Sequence, residues 1–499
     1  MHKLAQLDHH YVWHPFTQMR DWVRREPIVI TSGKGAVLRD VHGKEYLDAN
    51  SSIWTNLHGH AHPQINSAIR KQLGKISHSS ALGFANEPAS LLAEKLVGAA
   101  KPALQLNKVF YSDDGSTAME VALKLAYEFA RRSGRSKKPK FLSLDGAYHG
   151  DTVGAVSAGH IDLFHKAYSG LLFKTDKVAA PYCYRCPQNR ARPQRADARD
   201  YRDCKFECLK WVEQKFSAQR KTKNPYAAMI VEPLMQGAAG MIAQPGGWLK
   251  RVAEIVRNDG AQLIADEVMT GFGRTGVAAL VKAWLTSSKN VAENSARSHE
   301  RGYDPSLFAC HKENVQPDFM ALAKGLTGGY LPMAATLVTQ TVFDAFLGEY
   351  DEFKTFFHGH SFTGNQLGSA AALASLEILQ SPKSISARQR LQENLSIQLK
   401  KLWALPNVGD IRQVGLMAGI ELVKNWKTRE PFALREQAGI RVCEAMARRG
   451  VLTRPIGNVV AIMPPYCTTA KQVAKMISAL GESADEVLGT KISLSPKNR

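Results

Sequence analysis

Residues 261–276 read AQLIADEVMTGFGRTG. The first half, Ala261 to Ala265, is an apolar run of buried-strand length. It closes on two carboxylates, Asp266 and Glu267. A turn punctuated by Gly271, Gly273 and Gly276 follows, with Arg274 inside it. Open α/β sheets bind ligands in the crevice beyond the carboxyl ends of their strands, which is where this reading puts Asp266. Downstream the design repeats: Phe319 to Ala323 (FMALA) is a second short apolar run, and it ends on Lys324-Gly325. A lysine at such a strand end carries its amine into partly desolvated surroundings, which lower its pKa and let it attack a carbonyl.

Taken singly, these residues have ordinary readings. A strand-end aspartate is commonly a helix cap, and a loop lysine is commonly solvated. Taken together, an acid and an amine on neighbouring strand ends match the needs of pyridoxal phosphate. The lysine forms the Schiff base and the carboxylate keeps the pyridine nitrogen protonated.

At 499 residues the chain has ample length for a large core in two or three domains. A hydrophobic content of 44% and a charged content of 22% are those of an ordinary globular protein. The formal charge of +20 raises the alternative of a basic nucleic-acid-binding protein. The cations are scattered, however, with local concentrations near 185–202, 215–223 and 282–301 and no continuous basic stripe, so no nucleic-acid partner is expected. No run reaches the 18 or so apolar residues of a membrane span. MHKLAQLDHHYVWHPF at the start lacks the apolar core of a secretory signal, and the expectation is a cytoplasmic protein. Seven cysteines in a chain of this length do not make a disulfide scaffold.

PIVITSGKGAVLRDVHGKEYLD (27–48) reads as a small β meander with glycine turns. After it, Trp54 is followed by His58, His60 and His62. Alternating histidines on a strand would suggest a metal, but Gly59 and Pro63 make this a loop entering a helix. In KVFYSDDGSTAMEVALKLAYEFARR (108–132) a strand turns at Gly115 into a helix with Met119, Val121, Ala122, Leu125, Ala126 and Phe129 at helical spacing. Gly115 allows close backbone approach, while Ser116 and Thr117 offer hydroxyls and free amides at a helix start, an arrangement that binds phosphate. FLSLDGAYHG (141–150) is a strand followed by Tyr148 and His149, and an aromatic ring there is placed to stack on a flat cofactor.

Residues 176–223 read as a surface lobe, in which Cys183, Cys186, Cys204 and Cys208 have a spacing close to that of a zinc knuckle. Free thiols or a redox bridge are the other readings. The polar, basic stretch 277–306 reads as a surface insertion. KTFFHGHSFTGN (354–365) reads as a ligand loop, with Ser361 and Thr363 able to hold phosphate. From about 385 the pattern becomes that of a separate α+β unit. Strands are expected at 417–423 and 459–463 with a helix at 433–449 between them, and Arg454 lies between that helix and the last strand, where it could clamp a carboxylate.

Six pieces in order, SDDGSTAMEVALK (112–124), YHGDTVGA (148–155), IVEPLMQGAAGM (230–241), IADEVMTGFGRTG (264–276), QPDFMALAKGLTGGYLP (316–332) and HGHSFTGN (358–365), resemble the class III, fold-type I pyridoxal-phosphate aminotransferases. The likeness runs from WHPFTQM (13–19) to TRPIG (453–457) and IMPP (462–465), nearly the whole chain. It implies an α/β architecture: a large cofactor-binding domain with a mostly parallel sheet flanked by helices, here 61–380, and a smaller α+β domain from 381–499 joined by the segment 1–60. It also implies a homodimer with sites shared at the interface.

Position by position, the resemblance makes Lys324 the Schiff-base lysine and proton shuttle and Asp266 the partner of the pyridinium nitrogen. Tyr148 would stack on the ring and line the substrate site. Gly115, Ser116, His360 and Ser361 would hold the phosphate, the last two from the partner subunit, where family members usually carry threonine in place of Ser361. Substrate would meet Phe16, Ile53, Trp54, Tyr148, Arg274, Lys324, Gly359 and Arg454, with Arg274 at the entrance and Arg454 on a carboxylate. No metal is implied. The branch most resembled carries an amino group from S-adenosylmethionine, or in some relatives lysine, to 8-amino-7-oxononanoate in biotin synthesis; an ω-amino-acid aminotransferase of the same class is the alternative. Two departures bear on the donor. Phe16 stands where tyrosine is frequent, and Ile53-Trp54 where many members have two tryptophans.

Overall fold

The computed structural model describes residues 1–101, 104–188, 205–276 and 307–489. The expected insertion at 277–306, and Cys204 with the middle of the 176–223 lobe, lie outside the described residues. The centre is a seven-stranded sheet. Its order across the sheet is Leu106–Ser112, Ala334–Thr339, Phe319–Leu322, Gln262–Asp266, Tyr226–Val231, Lys140–Leu144 and Asp176–Val178. The last five strands run parallel to one another, and Ala334–Thr339 is antiparallel to both of its neighbours.

The central strands are apolar on both faces because helices cover both. Every residue of Tyr226–Val231 and of Phe319–Leu322 is buried, which is why these strands read as unbroken apolar runs rather than alternating ones. Alternate residues still serve different layers. Ile264, Phe319 and Ala321 pack with Ala118, Met119 and Ala122 of the helix Gly115–Arg132. Ala265, Met320 and Leu322 pack with Leu92 and Leu96 of Glu87–Ala100 and Leu376 of Gln366–Gln380. Each such large side chain, taken fully from water, contributes about 1.5–3 kcal/mol.

The helix Gly115–Arg132 starts where it does because Asp114 accepts the Thr117 N–H at 2.9 Å while the Thr117 hydroxyl takes the Asp114 N–H at 2.9 Å, a reciprocal cap. The cap fixes the turn that follows Leu106–Ser112 at the edge of the cavity.

A second sheet joins the two ends of the chain. The meander Ile30–Lys34, Val37–Asp40, Glu45–Asp48 is extended by Val451–Leu452, which runs parallel to Glu45–Asp48. A third sheet contains Val408–Val414, Met417–Asn425, Val459–Ile462 and Pro455–Ile456. The helix expected at 433–449 begins later, at Ala438, because Gln437 sits at φ 48° and a 3-10 turn occupies Leu434–Glu436. Among the described residues no helix is long and apolar enough to cross a membrane.

Candidate active site

In the register of the two neighbouring parallel strands, Asp266 lies opposite Ala321. Parallel strands end on the same edge, so Asp266 and Lys324, three residues beyond Ala321, open into one crevice. There they line a cavity of about 420 Å³ together with Gly115, Ser116, Tyr148, His149, Glu232 and Trp54. That volume lies within the range of about 300–1,000 Å³ usual for small-molecule sites.

Lys324 is held in the left-handed region at φ 43°, immediately after the strand. Such a conformation costs a non-glycine residue of order 1 kcal/mol or more, and it persists only where surrounding packing imposes it. Here Gly325 is wedged so closely that a Cβ on it would lie 3.0 Å from Leu57 Cδ1 and 3.1 Å from Phe272 Cδ2. The Lys324 amine lies 4.9 Å from the Trp54 ring centroid. Desolvation lowers its pKa, against the opposing pull of Asp266 and Glu232, and so favours the neutral, nucleophilic amine.

Trp54 reaches this position through a strained turn: Ser51, Ser52, Ile53 and Trp54 all have positive φ, between 47° and 69°. The indole N–H is pinned to Asn50 Oδ1 at 2.8 Å. Asp266 is held at both oxygens. Oδ2 is paired with His149 Nδ1 at 2.7 Å, and Oδ1 accepts the Val268 N–H at 3.1 Å. The Tyr148 hydroxyl donates to Asp151 Oδ2 at 2.6 Å, and burial followed by that bond raises its pKa. Ser116 Oγ accepts the Asp151 N–H at 3.2 Å. A Cβ at Gly115 would stand 2.8 Å from Val268 Cγ1, and one at Gly150 would fall 2.0 Å from Ser116 Oγ, so both glycines allow approaches that no other residue could make.

The remaining sequence-predicted residues are not on this cavity. Arg274, expected at the entrance, is instead buried. It donates to the carbonyls of Pro464 at 2.9 Å and Asn56 at 3.4 Å, and its guanidinium lies 5.0 Å from the Tyr466 ring centroid. The glycine turn aims this side chain into the protein, where two carbonyls take its Nη1 and Nη2 groups and an aromatic face covers the guanidinium. Phe16 is exposed and packs edge-on against Phe164, and Ile53 is exposed beside Trp54. Arg454 is exposed in the link between Val451–Leu452 and Pro455–Ile456. Gly359 and Ser361 are exposed, and His360 pairs with Asp113 at 3.3 Å. The histidines of the 58–62 loop have separate partners: His58 bonds Ser375 Oγ at 2.9 Å and His60 bonds Asp48 Oδ2 at 3.0 Å. Sequence reading gave no role to His149 or Glu232, although both stand inside the quoted pieces.

Comparison with known proteins agrees with this geometry. The family model for aminotransferase class-III matches residues 19–285 and 304–483. The chain is 45% identical, over 97% of its length and 98% of the relative's, to an adenosylmethionine-8-amino-7-oxononanoate aminotransferase of Geobacter sulfurreducens. The crystal structure of the protein of that name from Methanocaldococcus jannaschii superposes with a TM-score of 0.83 at 39% identity, covering 97% of this chain and 98% of that one. The ω-transaminase of Pseudomonas jessenii in complex with PMP superposes with a TM-score of 0.84 at 26% identity, covering 97% and 98%. A lysine and an aspartate facing one crevice, on a fold shared along nearly its whole length with these enzymes, place the chain in the class III aminotransferase family.

Proposed function

We propose that this protein transfers an amino group from S-adenosylmethionine, or from lysine, to the keto carbon of 8-amino-7-oxononanoate, giving 7,8-diaminononanoate for biotin synthesis, with pyridoxal phosphate as cofactor. The observation that carries the chemistry is the convergence of Lys324 and Asp266 on one cavity. The choice of substrate rests on the identity to relatives bearing that name.

The residues present fit the cofactor. Free amides and a hydroxyl at the start of Gly115–Arg132 suit a phosphate. Asp266 offers a carboxylate, Lys324 a desolvated amine and Tyr148 a flat ring on the same cavity. When bound, pyridoxal phosphate supplies a carbonyl that takes up the amino group and a ring that accepts the electron pair of a broken Cα–H bond. The chain's own part is to hold and move protons. Asp266, anchored by His149 and the Val268 N–H, would hold the ring nitrogen through its carboxylate. Lys324, whose charged form is disfavoured by desolvation, would take the Cα proton of the donor and return a proton in the second half of the cycle. Trp54 and Tyr148 wall the space.

We also propose that the working form is a homodimer. The segments 78–84 and 357–362 meet through His78, which bonds the Ser361 carbonyl at 2.9 Å, and they expose Leu82, Phe84, Phe357 and Phe362. A cluster of this kind marks a protein–protein surface. In a dimer formed there, Gly359, His360 and Ser361 would reach the partner's cavity. Biosynthetic chemistry of this kind fits the expected cytoplasmic location.

The test is a donor screen on the holoenzyme, following the cofactor's visible absorbance in each half-reaction. S-adenosylmethionine or lysine should bleach the band, and 8-amino-7-oxononanoate should restore it. Bleaching by β-alanine alone would replace this reading with that of an ω-amino-acid aminotransferase. Failure of 8-amino-7-oxononanoate to restore the band would end the proposed acceptor.

A further inference from the structure

Glu232 is a buried carboxyl that the transamination chemistry leaves unused. It follows the strand Tyr226–Val231, is 5% exposed, and lines the same cavity as Lys324 and Asp266. Its two oxygens are taken by different walls of that cavity. Oε1 accepts the backbone N–H of Tyr148 at 3.1 Å, and Oε2 accepts that of Gly237 at 2.8 Å. Tyr148 carries the ring of one wall. Gly237 opens the turn that puts Ala238 on the cavity, and it is packed so tightly that a Cβ would lie 2.5 Å from Met269 Sδ and 3.1 Å from Trp54 Cζ3. The strand end does not need the Glu232 side chain for its own order. The Glu232 carbonyl accepts the Gln244 amide at 2.8 Å, and Gln244 Oε1 takes the Leu234 N–H at 2.9 Å.

We propose that Glu232 is a positioning residue, whose carboxylate clasps the Tyr148 wall to the Gly237 wall and so sets the width of the slot between them. Only an ionised carboxylate serves both walls. A protonated one has a hydroxyl that donates, and one of the two N–H groups then loses its acceptor. The groups facing Glu232 are His149, Asp266 and Lys324. Burial pushes the Glu232 carboxyl up to about 7, His149 opposes that rise and Asp266 adds to it. The clasp is therefore closed above neutrality and loosens as pH falls through it. The identity of the substrate in the test rests on the function proposed above; the clasp does not.

Glu232→Gln imitates the loosened state at every pH. A variant lacking one of two charge-assisted bonds is expected to bind pyridoxal phosphate about fivefold or more weakly in a titration of apoenzyme, with KM for 8-amino-7-oxononanoate raised by a similar factor. Lys324 and Asp266 are untouched, so kcat should stay within about threefold. The unaltered enzyme is expected to show a rise of KM below neutrality, and that rise should be absent from the variant. Cofactor affinity, KM and pH profile all within about twofold of the unaltered enzyme would overturn the clasp, as would a large loss of kcat with affinity and KM unchanged.

If E232Q does not fold, hydrogen exchange on the unaltered holoenzyme decides. The Tyr148 and Gly237 amides should lose protection together at pH 6 relative to pH 8, after correction for intrinsic rates. Equal protection at both would sink the idea. An enzyme that transaminates neither donor but still shows the paired amides and weakened cofactor binding in E232Q would retain the clasp and lose the proposed function.

Discussion

Asp266 shows how much a single carboxylate depends on its holders. His149 Nδ1 supports Oδ2 and the Val268 N–H supports Oδ1, while His149 Nε2 is buried without a hydrogen-bond partner among the described residues. His149→Ala should leave the cofactor's visible band in place but lower kcat about tenfold, since a carboxylate that loses one of two supports is less well aimed; a kcat equal to that of the unaltered enzyme would remove His149 from the site. Asp318, which accepts the Leu263 N–H at 2.8 Å, gives a stability test. Burial lifts it from 3.8 to about 6, so the folded state holds its proton longer than the unfolded chain does. Its contribution therefore declines as pH rises from about 4 to about 6 and is constant beyond. Asp318→Asn keeps an acceptor for Leu263 and should gain relative to the unaltered protein by on the order of 2 kcal/mol between pH 4 and pH 7, read from urea midpoints. At this scale the sequence was legible where chemistry and position coincided: Lys324 and Asp266 are unusual residues to find closing apolar strands. Arg274 was not, because a glycine turn shows that the chain reverses and says nothing of which side its arginine faces. Glu232 closes a strand as well, but its bonds go to the backbone of Tyr148 and Gly237, which no side-chain pattern records.

The strands of the central sheet were readable because burial on both faces leaves short apolar runs ended by polar residues, and their ends are what bring the site together. The strand Val408–Val414 was missed, since Asp410 and Arg412 break its pattern. Its charges are buried and matched. Arg412 pairs with Asp410 at 2.8 Å and Glu421 at 2.6 Å, and donates to the carbonyls of Gly240 at 2.7 Å and Met241 at 2.9 Å. Arg185 of the 176–223 lobe donates to Glu421 at 2.9 Å through Nε. One cluster thus ties the third sheet, the lobe and the turn carrying Ala238. Arg412→Met should destabilise the fold by about 3–5 kcal/mol, because buried Asp410 loses its Arg412 partner and buried Glu421 is left with Arg185 as its cation. Adding Glu421→Leu and Asp410→Leu to that variant should recover much of the loss, and urea unfolding of the single and triple variants checks both halves. A single variant as stable as the unaltered protein would mean that water reaches the cluster.

For the whole molecule, the question is whether one chain contains a whole site. Lys324, Asp266, Ser116 and Tyr148 meet within a chain, but Gly359 and Ser361 are exposed and do not line that cavity, and they stand next to exposed apolar side chains. A symmetric dimer that buries this face would bring each 359–361 segment to the partner's cavity. Two inactive variants distinguish the arrangements. Lys324→Ala removes the amine, and Ser361→Asp sets a carboxylate against the phosphate. Neither homodimer should turn over substrate. In a mixed dimer with shared sites, one cavity has the intact Lys324 of one chain and the intact Ser361 of the other, while both defects collect in the second cavity. Random mixing makes about half of all dimers mixed, each with one working site, so about a quarter of the unaltered activity should return. If Ser361 served its own chain's cavity, every site in the mixture would keep one defect and no activity would return. Co-refolding the two variants in equal amounts, with activity and oligomeric state measured on the same sample, separates the outcomes, and a mixture that is dimeric but inactive would refute the shared site.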